Sequence, residues 1–159
     1  MVLCAVVLAL GCRTETIPAS RLRGVVLTPT GAPIADAYVL LGASVPTGID
    51  APRTAVLATT RSRADGSFEV AFPATRVLRI LADDVAFDLR VFHERGWAVE
   101  QSFQTLPDGL IRTELSPRPD GHPANPDDCP MLCGNLAQRD CRHVSREYFG
   151  AEDVCDFRY

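Results

Sequence analysis

Between residues 21 and 115 turn residues cut the chain into short apolar or alternating runs, and this rhythm limits the fold more than any other feature. The runs recur at roughly ten-residue spacing, which suits the short strands of an all-β sandwich and leaves no room for long helices. Val25 and Leu27 alternate in the first run, and Pro29-Thr-Gly31-Ala-Pro33 then makes a turn. Ala37-Tyr-Val-Leu-Leu41 follows, apolar on both faces of a strand. A stretch rich in Thr, Val and Leu over residues 54–63 runs into Ala64-Asp65-Gly66-Ser67, an Asp-Gly hairpin signal. Phe68, Val70 and Phe72 alternate with Ser67, Glu69 and Ala71. Residues 77–82 form a further run before a turn at Asp83-Asp84. Val85, Phe87, Leu89 and Val91 then alternate with Ala86, Asp88 and Arg90, which predicts that the second set faces water. Trp97, Val99 and Phe103 share a parity, and residues 110–115 close the series after Pro107-Asp-Gly109. The expectation is a sandwich of seven or eight strands with no helix. Phe68, Val70, Phe87, Leu89 and Trp97 belong to its core, and residues 44–53 form an exposed loop.

The N-terminus points to a compartment. Residues 1–12 are apolar throughout and residues 13–20 turn polar. An apolar core of about ten residues is too short to span a bilayer and matches the central region of a secretory signal. Its end, Leu8-Ala9-Leu10-Gly11-Cys12, resembles a bacterial lipobox, although Ala9 stands where leucine is commoner and no basic residue precedes the apolar run. The resemblance implies cleavage before Cys12 and acylation of its thiol. The expected organisation is a signal peptide over 1–11, a tether over 12–20, the sandwich over 21–116, a linker over 117–128 and a cysteine-rich tail over 129–159. The anchor would place the protein in the cell envelope, on the periplasmic or surface face of the outer membrane.

The linker holds Pro117, Pro119, Pro123 and Pro126, and the tail that follows holds Cys129, Cys133, Cys141 and Cys155. Four cysteines in a short exported segment read as two disulfides, because so few residues cannot build a core alone. Three connectivities exist; the expectation leans to Cys129–Cys141 with Cys133–Cys155. Zinc held by Cys129, Cys133, Cys141 and His143 is the competing reading, weakened by the lack of a Cys-x2-Cys pair. The tail is expected to be an appendage that the sandwich does not need.

At Gly24-Val-Val-Leu-Thr-Pro-Thr-Gly31-Ala-Pro33-Ile-Ala-Asp-Ala37-Tyr-Val-Leu-Leu41 and Thr59-Thr60-Arg-Ser-Arg-Ala-Asp65-Gly66-Ser-Phe68 the chain resembles a carboxypeptidase regulatory-like domain. The resemblance covers residues 21–116 and implies a transthyretin-like, seven-stranded sandwich. It departs at Pro73-Ala74-Thr75 and Asp83-Asp84, where the family has Pro-Gly and aromatic-Gly turns. It implies no catalytic residues.

Chemistry is sparsely signposted elsewhere. The chain has no lysine, which removes Schiff-base and P-loop mechanisms, and its net charge of -4 argues against nucleic acid as a partner. His93, His122 and His143 are scattered, and the pairs Asp83-Asp84 and Asp127-Asp128 fall in turns. Arg61 and Arg63 share parity with Thr59 and read as a solvated face. No cofactor is implied. The expected function is a lipid-anchored envelope protein whose non-catalytic sandwich serves binding, spacing or surface structure, with a protein or glycan partner. Two alternatives stand beside it. An intradiol-dioxygenase-like iron enzyme would draw on Tyr38, Tyr148, Tyr159 and the histidines, and a carbohydrate-binding β module would need aromatics to spare.

Overall fold

The computed structural model describes residues 13–45, 53–79, 85–94, 96, 101–116 and 128–155. Among the described residues nine strands run in chain order: β1 Arg13–Ile17, β2 Ser20–Leu27, β3 Tyr38–Val45, β4 Arg53–Arg61, β5 Ser67–Phe72, β6 Thr75–Arg79, β7 Ala86–Phe92, β8 Gln101–Phe103 and β9 Leu110–Glu114. Seven of them form two sheets, in the orders β5-β2-β9 and β4-β3-β7-β8. The all-β sandwich read from the sequence is therefore the observed architecture. Strands β1 and β6 pair separately as an antiparallel ribbon, so the stretch expected to be a tether includes a strand.

Alternation builds the core. Leu22 and Val26 of β2, Phe68, Val70 and Phe72 of β5 and Ile111 of β9 point inward from the three-stranded sheet. They meet Val39, Leu41 and Ala43 of β3 and Leu89 and Val91 of β7 from the other sheet. Phe68, Val70 and Leu89 are buried as expected, and Phe87 packs against this core while partly exposed. Trp97, Asp83, Asp84 and the middle of the 44–53 loop lie outside the described residues. The Asp-Gly turn forms as its residues dictate: Gly66 adopts a φ of 76°, and the Asp65 carboxylate accepts the Ser67 N–H at 2.9 Å. The Ser67 hydroxyl and that backbone bond lower the Asp65 carboxyl from its ordinary value.

Strand β7 departs from its predicted pattern. Asp88 and Arg90, expected to face water, are both only 5% exposed. Tyr38 and Leu40 of β3, on the face opposite Val39 and Leu41, are buried as well. The central strands β3 and β7 of the four-stranded sheet are therefore covered on both sides. The sandwich supplies one cover and the cysteine-rich tail supplies the other.

Phe68→Ala should remove about 3–5 kcal/mol through lost burial and the cavity left between the sheets. A chemical-denaturation midpoint unchanged from the parent protein would contradict the strand register.

Candidate functional site

The tail folds as two helices, α1 Cys129–Cys133 and α2 Gln138–Phe149, where the sequence predicted none. Cys141, Val144, Ser145 and Tyr148 fall at helical spacing, and all but the partly exposed Tyr148 are buried. The left-handed Gly150 stops the helix, its N–H bonded to the carbonyl of Arg146. The disulfides are Cys129–Cys155 and Cys133–Cys141, with Cα separations of 5.3 and 5.0 Å. This nested pairing replaces the crossed one expected, and the reason is geometric. The chain doubles back after α1, so the inner cysteines meet across the turn and the outer two meet across the open end of the hairpin. The four sulfurs are bonded in two pairs, so none is a thiolate for zinc.

The hairpin caps the sheet through a second core. Leu132, Val144 and the four cysteines pack with Tyr38, Leu40 and Phe92 of the sandwich. The tail is thus not an appendage. Tyr148 bridges the two parts, its ring 5.7 Å from Tyr38, 5.6 Å from Phe92 and 4.7 Å from Phe149 between centroids.

Three polar devices fix the cap's position. The buried Arg90 guanidinium donates to the carbonyls of Met131 (3.1 Å) and Leu132 (3.4 Å), so a charge that parity assigned to water satisfies the end of α1. Oε2 of Glu147 accepts from the Tyr38 hydroxyl and from the Thr59 hydroxyl, each at 2.7 Å. His143 stands over the other carboxylate oxygen at 3.4 Å. Arg61 donates to the Glu147 carbonyl at 2.8 Å and to both the carbonyl (3.1 Å) and carboxylate (3.2 Å) of Asp36. Its guanidinium carbon also lies 5.7 Å from the centre of the Tyr38 ring. Thr59 and Arg61 share a face that borders the cap, and Arg61 and Arg63 are both exposed, as the sequence predicted.

Arg61 leads to a cleft of about 560 Å³ between the turn at residues 31–36, the end of β7 and the cap. Pro33, Ile34 and Asp36 of the turn, His93 and Glu94 after β7, and Tyr148 of the cap line it. The turn wall is held from beneath: the buried Ser62 hydroxyl donates to the Ile34 carbonyl at 2.7 Å and accepts the Ala37 N–H at 2.9 Å. Asp36, at a φ of 61°, is the only described residue other than glycine in the left-handed region. Its N–H donates to the Ser62 carbonyl and its side chain pairs with Arg61, which offsets the cost of that conformation.

No protein-family profile matches the chain, and no curated protein is similar to it in sequence. Of the residues singled out earlier, the structure brings Tyr38, Tyr148 and His143 to the cap seam and His93 to the cleft. Tyr159, His122 and Cys12 lie outside the described residues. Among the described residues no three His, Cys, Asp or Glu side chains converge as a metal site. Sequence reasoning missed Arg90, Asp36 and Glu147. The signal that points to a cover was present in Tyr38 and Leu40, the second apolar face of β3.

Two predictions test the seam. Burial, reinforced by the Glu147 carboxylate, pushes the Tyr38 phenol well above its ordinary value of 10.0. A raised value favours the folded state while the phenol stays protonated. That stabilisation is whole below pH 10 and declines as pH rises further, because the unfolded phenol ionises first. Unfolding free energies measured from pH 8 to 11 should fall at the alkaline end, and Tyr38→Phe should flatten that fall while lowering stability at pH 8. Arg90→Met should cost about 1–3 kcal/mol by stranding the two carbonyls, with amide exchange quickening first in residues 129–149.

Proposed function

We propose that the chain is an exported lipoprotein of the cell envelope whose capped sandwich is a non-catalytic module for binding or spacing. The observation that carries this reading is the pair of buried cystines. Both lie inside the core that joins cap to sheet, and such bonds form and persist in oxidising compartments outside the cytosol. The apolar segment ending at Cys12 supplies a route to that compartment, and acylation of Cys12 would supply an anchor. An outer-membrane location, with a protein or glycan partner, is the form of the reading that the lipobox-like segment favours.

The fold supports a carboxypeptidase regulatory-like assignment, through the Gly31 and Gly66 turns and the inward Phe68, both glycines having positive φ. The non-catalytic part of the reading draws on how the reactive groups are used. The Tyr38 phenol, the Glu147 carboxylate and the four sulfurs are spent on holding the cap to the sheet.

Intact-mass analysis of protein extracted from membranes should give a chain beginning at Cys12 and carrying acyl groups. Cys12→Ser should move the protein to the soluble fraction. Cleavage at another bond, or membrane association unaffected by Cys12→Ser, would overturn the anchor.

A further inference from the structure

We propose that one end of the sandwich binds a fatty acyl chain. A pocket of about 490 Å³ lies there, within the size range of small-ligand sites. Its residues come from where β2 begins and β5 ends in one sheet, and from where β7 begins and just beyond the end of β8 in the other. Ile17, Phe72 and Val85, buried members of the main core, line it together with Phe87 and Leu106. These last two pack against that core and are partly exposed. The pocket thus carries the core out to the surface, and covering apolar area that still meets water favours a bound hydrocarbon.

The lining narrows the ligand further. None of its ten residues is charged, so an ionic group entering the pocket would lose water without gaining a counter-charge. A methylene chain carries no such cost. Packed sheets stand about 10 Å apart, so a space between their ends is narrow in one direction and suits a single flexible chain. Thr16, Ser20, Gln104 and Thr105 are exposed and line the same pocket, where their hydroxyls and amide suit a carboxyl or ester left at the mouth. Two sources share this chemistry. One is a free fatty acid, and the other is the acyl group that the lipoprotein reading puts on Cys12, five residues before Ile17. The second source rests on that reading, whereas the pocket itself does not.

The probe is palmitate with a photoreactive diazirine at its tail. Full-length protein carrying Cys12→Ser, in detergent-free buffer, should be labelled on peptides that contain residues 16–18, 85–87 or 104–106. Decanoate, dodecanoate and tetradecanoate, held below their micelle concentrations, should compete with strength rising about fourfold per added methylene. Thr105→Trp fills the mouth from an exposed position and should weaken labelling about tenfold with the melting temperature unchanged. Leu110→Ser removes an apolar side chain that is 70% exposed outside the pocket and should leave labelling as it was. Four results overturn the site: no labelling, adducts that map elsewhere, competition indifferent to chain length, or labelling indifferent to Thr105→Trp. Acylated protein in phospholipid nanodiscs separates the sources. Labelling equal to that of the Cys12→Ser protein assigns the pocket to free acid, and labelling only after Cys12→Ser assigns it to the chain's own acyl group. A chain that mass analysis finds unacylated, yet labelled in the pocket, would retain the site and discard the anchor. An acylated chain whose Cys12→Ser variant takes no label would do the reverse.

Discussion

Strand β3 has no face it can give to water. Every residue from Tyr38 to Ala43 is buried, and successive side chains point to opposite sides. A two-sheet sandwich covers only one of those sides. The remaining face, carrying Tyr38 and Leu40 with Phe92 beside them, needs a third layer, and the rest of the architecture follows from that need. The dependence runs both ways. The segment from residue 128 to 155 is too small to fold on its own core, so it borrows the outer face of the sheet and closes itself with two cystines.

Hydrophobic contact alone would let a small hairpin slide over such a face. Polar groups set the register instead. Arg90 reaches from β7 to the carbonyls at the end of α1, and Glu147 reaches from α2 to two hydroxyls on β3 and β4. Burying these groups costs desolvation, and each is compensated only when its partner stands at hydrogen-bond distance. A shifted cap would leave both carbonyls and a carboxylate unsatisfied. Arg61 extends this logic outward, tying the cap's Glu147 carbonyl to the Asp36 turn and lining the cleft. The cleft thus exists only where cap and sandwich meet.

Much of the sandwich was legible in the sequence because its signals are local. Phe68, Val70 and Phe72 show their inward parity over six residues, and Asp65-Gly66 encodes a turn through the conformations its own residues allow. The same parity rule misplaced Arg90. Alternation reports which residues share a face, and it is silent on whether that face meets solvent. Helix α2 escaped notice for a related reason. Its buried positions include Cys141 and Ser145, which read as cross-link and polar residues until something packs against them.

By itself, the sequence determined the fold class, most strand positions, the apolar character of both faces of β3 and the presence of four cysteines close enough in the chain to pair. These are properties of short windows, set by backbone preferences and side-chain periodicity. Only the tertiary structure decided which cysteines pair, what covers Tyr38 and Leu40, and that Asp36, Arg61, His93, Glu94 and Tyr148 border one cleft. Those facts depend on contacts between residues as far apart as Tyr38 and Glu147, separated by 109 positions. No local pattern encodes such a distance, because it is set by how complete elements pack once their faces are made.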